Sequence, residues 1–133
     1  MSTRATYQFK DERESYTVYK QDDNYPAGAL RFIALTASEK AWSLPRFEAA
    51  EFAAAFVAAT KHKSGGVYLC EDGKDTKAHP DTDYHYTVSC VNGEIRVSIE
   101  QRAVNPDTPP VFPFPWSEDI VSGSLTDLME QYQ

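Results

Sequence analysis

The chain has 133 residues, 41% of them apolar and 13% aromatic, with 20 acidic side chains against 13 Lys and Arg and a formal net charge of −7. That length supports a single hydrophobic core, and two cysteines, Cys70 and Cys90, are too few for a disulfide scaffold. The negative balance argues against gripping duplex DNA with a broad basic surface, but not against single strands, whose binding leans on stacking as well as charge.

The first residues, Met1 to Tyr7, lack the apolar run of a secretory signal, and no stretch reaches the length of a membrane span, so the expected location is cytoplasmic with no membrane partner. Alternation of Tyr7 and Phe9, then of Tyr16 and Val18, predicts two strands. A turn, Asp22-Asp23-Asn24-Tyr25-Pro26-Ala27-Gly28, leads to Leu30, Phe32 and Ala34, expected as a third strand although residues 29–37 are apolar on both faces apart from Arg31 and Thr36. Ala41-Trp42-Ser43-Leu44 is expected as a fourth. Residues 45–61 then predict a long helix: proline in the first turn, acids early, Lys61 late and Gly65-Gly66 beyond. On it Phe52, Phe56 and Ala59 form a bulky stripe, while Phe47, Ala50, Ala54 and Ala58 form a small-residue face on roughly the opposite side, suited to solvent or to a homodimer.

Val67-Tyr68-Leu69-Cys70 predicts a strand, followed by a polar loop over residues 71–83. The clearest element is the hairpin that follows, because Asn92-Gly93 suits a type I′ turn. Pairing Val91 with Glu94 sets Cys90 against Ile95, Val88 against Val97 and Tyr86 against Ile99 on an apolar face, with Ser89/Arg96, Thr87/Ser98 and His85/Glu100 on a polar one. From Asn105 the composition shifts: five of the eight prolines fall between Pro106 and Pro115, and residues 103–133 hold Asp107, Glu118, Asp119, Asp127 and Glu130 with no Lys or Arg. Leu125, Leu128, Met129 and Tyr132 fall at i, i+3, i+4 and i+7 behind a Ser124 cap, a helix too short to stand alone. The expectation is an α+β fold: an antiparallel sheet of about six or seven strands in two meanders, packed on one Ala-rich helix, with a Pro-rich extended C-terminal arm. The domain spans residues 1–104 and the acidic arm 105–133.

Chemistry-bearing residues are sparse. Cys70, His79, Asp81, Asp83, His85 and Cys90 are metal-binding types, but only His79 and His85 approach ligand spacing, and the hairpin register sends His85 and Cys90 to opposite faces. Neither cysteine sits at a helix N-terminus or beside a glycine elbow that would activate it. Lys63-Ser64-Gly65-Gly66 follows a helix instead of preceding one, so it is a helix stop and not a phosphate loop. Asp22/Asp23 and Asp81/Asp83 are turn formers. No catalytic residue, metal site or cofactor is expected, and the function class is non-catalytic binding.

Aromatics on the N-terminal strands interleave with cations, the mixture that single-strand binders use for stacking and for phosphates. The expected nucleic-acid contacts are Tyr7, Lys10, Arg13, Tyr19, Lys20 and Arg31. Four strands followed by a helix over residues 1–63 resembles the unit of PUR and Whirly single-stranded DNA-binding proteins, although the KGKAAL signature of Whirly proteins is absent. An acidic end with an amphipathic terminus resembles the tail of phage and bacterial single-strand binding proteins, which implies a competitor for the nucleic-acid surface and a recruiter of proteins. The alternative is an acidic adaptor, inhibitor or assembly subunit that binds protein through Phe112, Phe114 and Trp116 and through Leu125, Leu128, Met129 and Tyr132.

Overall fold

The computed structural model describes residues 3–61, 65–70, 82–103 and 115–132. Alternation in the first two runs builds strands β1 (Ala5–Lys10) and β2 (Ser15–Lys20). Asp11 turns the chain between them: one carboxylate oxygen accepts the backbone N–H groups of Arg13 and Glu14. The other accepts the N–H of Ala49 at 2.7 Å, the first residue of α2 (Ala49–Thr60), which has no side-chain cap of its own.

Residues 26–35 correct the expected third strand. They form helix α1 (Pro26–Leu35), continued by a π-helical turn over Thr36–Lys40. A run apolar on both faces of a strand is also apolar on one face of a helix, and here Ala29, Leu30 and Ile33 fall together and are buried, with Pro26 in the first turn. The Ala41–Leu44 strand is absent too: the Trp42 N–H bonds the Glu51 carboxylate instead of a neighbouring strand. The four-strands-then-helix order behind the PUR and Whirly resemblance is therefore not the order of this chain.

Beyond α2 come β3 (Val67–Leu69), β4 (Tyr84–Val91), β5 (Glu94–Gln101), β6 (Val121–Ser124) and α3 (Leu125–Gln131). Among the described residues the sheet has six strands, in the order β3-β2-β1-β4-β5-β6. Every pair is antiparallel except β1 and β4, so two antiparallel triplets are joined by one central parallel pair. The sheet is thus mixed where a wholly antiparallel one was expected, and the class is α+β, with three α-helices among the described residues. Asn92 and Gly93 take positive φ at the β4–β5 turn, and the register is Val91 to Glu94, Cys90 to Ile95 and onward as the alternation requires.

All three helices lie on one face. Tyr7, Phe9, Val18, Tyr86, Val88, Ile95, Val97 and Ile99 meet Leu30, Ile33, Phe52, Phe56 and Leu128 in one core. Phe56 lies 4.5 Å from Tyr7 and 5.1 Å from Phe9, so the bulky stripe of α2 is the buried one. Burying each such ring stabilises by about 1.5–3 kcal/mol. Ala50, Ala54 and Ala58 face outward and are exposed. Ser124 caps α3, its hydroxyl accepting the Asp127 N–H at 3.1 Å. The apolar face of α3 then packs inward: Leu128 is buried, and Leu125, Met129 and Tyr132 lie against the core. β6 and α3 thereby join the acidic end of the chain to the body.

Under the helices sits a polar hub. Asn24 is fully buried; its amide donates to the carbonyls of Thr3 (2.7 Å) and Lys20 (2.8 Å), and its Oδ1 accepts from the Tyr7 hydroxyl (2.6 Å). The Tyr86 hydroxyl donates to the Asn24 carbonyl at 2.5 Å. Every side-chain polar atom of this asparagine is satisfied, as burial demands.

Candidate functional site

The sheet face opposite the helices is polar, and strand register arranges it in rows. One row crosses five strands: Tyr68 on β3, Tyr19 on β2, Thr6 on β1, His85 on β4 and Glu100 on β5. Tyr19 and Tyr68 stack with centroids 4.7 Å apart. The His85 ring is held from both sides, Nδ1 lying 2.7 Å from the Thr6 hydroxyl and Nε2 3.3 Å from the Gln8 amide oxygen. With that oxygen as acceptor, Nε2–H donates to Gln8, and a neutral ring accepts from Thr6 at Nδ1. Trp116 meets His85 edge-on at 6.1 Å and carries the Arg102 guanidinium 3.9 Å over its ring. Burial pushes the Arg102 pKa below its ordinary value, opposed by Asp83.

The next rows are richer in donors. Thr17, Gln8, Thr87, Ser98 and Ser122 line up from β2 to β6. Beyond them Ser15 pairs with Lys10, and Ser89 with Arg96. Lys10, Ser15, Arg96 and Ser122 are exposed, while Gln8, Thr87, Ser89 and Ser98 are half-buried. Among the described residues these two rows contain hydroxyls, one amide and two cations, and no carboxylate. Such a surface offers hydrogen-bond donors and positive charge to phosphate and sugar oxygens.

The six expected nucleic-acid contacts do not form one surface. Tyr7 lies on the helical side at 0% exposure, stacked 4.9 Å from Tyr86, and cannot present its ring to a base. Lys20 is also on the helical side and fully buried; its ammonium sits 4.2 Å over the Phe32 ring and donates to the Asp22 carbonyl. Desolvation lowers its pKa, partly offset by Asp23 and Asp22. Tyr19 is on the polar face but 5% exposed. Lys10 and Arg13 are exposed around the β1–β2 turn, and Arg31 is exposed on α1, in the helical layer. Of the expected protein contacts, Trp116 belongs to the polar face, the α3 set packs on the core, and Phe112 and Phe114 lie outside the described residues.

Sequence reasoning missed Gln8, Tyr68, Arg96 and Arg102. The polar half of the β4–β5 hairpin was legible, but nothing local says that β1 lies parallel beside β4 and brings Thr6 and Gln8 to His85. His79 and Asp81 lie outside the described residues, and among the described residues no three His, Cys, Asp or Glu side chains converge as a metal site. Burial raises the thiol pKa of Cys70 and Cys90, which weakens both as nucleophiles. No described helix is long and apolar enough to cross a membrane.

No family model, curated protein or solved structure matches the chain. Its surface therefore has to be read on its own chemistry. Clefts among the described residues include two of similar size. One, of about 300 Å³, lies at the sheet end between the β1–β2 turn, the β4–β5 turn and Pro45, Phe47 and Glu48. The other, of about 340 Å³, lies between α1 and α3.

Proposed function

We propose that this protein is a non-catalytic binding module that takes single-stranded nucleic acid on the polar face of its sheet. The observation that carries the reading is the pair of carboxylate-free donor rows, with Lys10 and Arg96, on a chain whose net charge is −7. Phosphates accept from Ser, Thr and Gln side chains and pair with Lys and Arg, and a base would extend the stack that the half-exposed Tyr68 ring makes with Tyr19. The contacts of this reading are Gln8, Lys10, Tyr68, Thr87, Arg96 and Ser98, in place of the buried Tyr7 and Lys20. Glu118 and Asp119, exposed just before β6, act as local competitors for the same face. The cytoplasm is the compartment that goes with this role.

Anisotropy of labelled single-stranded DNA and RNA oligomers at low and moderate salt tests it. With two phosphates neutralised by Lys10 and Arg96, the slope of log affinity against log salt is about −1.4. Lys10→Gln with Arg96→Gln abolishes binding while leaving the fold intact, and Glu118→Gln with Asp119→Asn strengthens it. No binding by the unaltered chain at low salt refutes the reading.

One observation favours protein binding instead: Trp42 and Leu44 are exposed on the loop before α2, with Arg46 stacked 3.5 Å over the Trp42 ring. An aromatic and an Arg together are frequent anchors of protein interfaces. The exposed Ala50, Ala54 and Ala58 face would serve a homodimer, which Ala54→Glu would split in sedimentation.

A further inference from the structure

The cleft between α1 and α3 has no part in the sheet-face reading. Its two helices contribute matching sets: Ala27, Leu30 and Arg31 from α1, and Thr126, Met129 and Glu130 from α3. Each set is an i, i+3, i+4 face ending in a charge. Ala27, Met129 and Tyr132 are half-buried and make an apolar floor, with the fully buried Leu30 beneath them, while Arg31 and Glu130 stand exposed at the rim.

These opposite charges border one cleft and do not meet. Among the described residues neither Arg31 nor Glu130 has an ion pair or a side-chain hydrogen bond. Each stands on its own helix, and α1 and α3 pack against each other beside the groove. A positive and a negative group held apart over an apolar floor complement a molecule that carries both charges on an apolar body. A simple fatty acid would meet Glu130 with the wrong sign, and an alkylamine would meet Arg31 likewise.

We propose that this cleft binds a small apolar zwitterion of the amino-acid class. Its carboxylate pairs with Arg31, its ammonium with Glu130, and its side chain covers Ala27 and Met129. The planar guanidinium suits a carboxylate, and about 340 Å³ lies at the small end of the range for small-molecule sites.

The test is methyl NMR of Ala27 and Met129 in the full chain during titration with L-leucine to about 10 mM, ten times the Kd of a millimolar ligand. Saturating shifts are expected, with N-acetyl-leucine and leucinamide each weaker by about tenfold or more, since each lacks one of the two charges. Arg31→Gln should weaken leucine but leave leucinamide as tight or tighter, and Glu130→Gln should weaken leucine but leave N-acetyl-leucine as tight or tighter, because each substitution also removes a like-charge repulsion. Both positions are exposed, and an unchanged Tm verifies that the variants fold. Three results would overturn the proposal: no saturable shift, equal affinity for leucine and its blocked derivatives, or shifts that track protein concentration with a doubled sedimentation mass, which makes the groove a contact between copies.

Discussion

Removing the Asn24 side chain should be among the most damaging single changes outside the apolar core. Asn24→Ala deletes three hydrogen bonds, to the Tyr7 hydroxyl and to the Thr3 and Lys20 carbonyls, and leaves those partners in a site with no exposure. A buried hydrogen bond contributes about 1 kcal/mol net, and orphaning a buried group costs about 1–3 kcal/mol. Some relaxation is expected, so the loss should total about 3–5 kcal/mol, a large share of the roughly 5–15 kcal/mol that holds a domain together. Tyr7→Phe removes only the bond to Oδ1 and should cost about 1–2 kcal/mol. Because both variants delete that same bond, the double variant should fall short of the sum by about 1–2 kcal/mol. The Tyr86 bond runs to the Asn24 backbone carbonyl and survives in the alanine variant, which makes Tyr86→Phe the additive control. Urea unfolding followed by far-UV circular dichroism measures all four. A loss below about 1 kcal/mol for Asn24→Ala, or strict additivity with Tyr7→Phe, would refute the hub.

Burial raises the pKa of Tyr7 and Tyr86 above 10, aided by Asp23 for Tyr7 and by Tyr7 for Tyr86. Their contribution is therefore complete below pH 10 and is lost as pH climbs past it, because the unfolded chain ionises first. Tyr86→Phe should flatten that alkaline limb in pH-dependent urea titrations. Lys20 acts in the opposite sense: its pKa is lowered, so the cost of burying its charge is full below the folded value and fades as pH rises from there to 10.5, and Lys20→Met should gain more at neutral than at alkaline pH. The N–H groups of Ala49, then Arg13, hold the Asp11 pKa below its ordinary value, so its stabilisation is present above pH 3.8 and fades as pH falls through the folded value. Asp11→Asn should cost about 1 kcal/mol by weakening the cap on α2, and should flatten the acid limb of the same titration. Gly93→Ala, at φ +77° with its new Cβ 3.4 Å from that of Pro45, should cost about 1–2 kcal/mol in chemical denaturation, and an unchanged midpoint would count against the turn geometry.

Much of the local structure was written in the sequence because its determinants are neighbours in the chain. Asn92-Gly93 and the period-two pattern around it allow one register for β4 and β5, since a slip of one residue would carry Val88, Val97 and Ile99 to the polar face. The buried stripe of α2 and the Ser124 cap of α3 follow equally from short-range spacing. Where periodicity was ambiguous, tertiary packing chose: residues 29–37 suited a strand buried on both faces or a helix buried on one, and the place for Leu30 and Ile33 was beneath α1. The parallel contact of β1 with β4 joins segments some 80 positions apart, with His85 nearly that far from Thr6 and Gln8, so no local pattern encodes it. That one pairing brings Thr6 and Gln8 beside His85, assembles the hydroxyl rows beside Lys10 and Arg96, and makes a polar face whose members were individually visible in the chain but whose adjacency belongs to the fold alone.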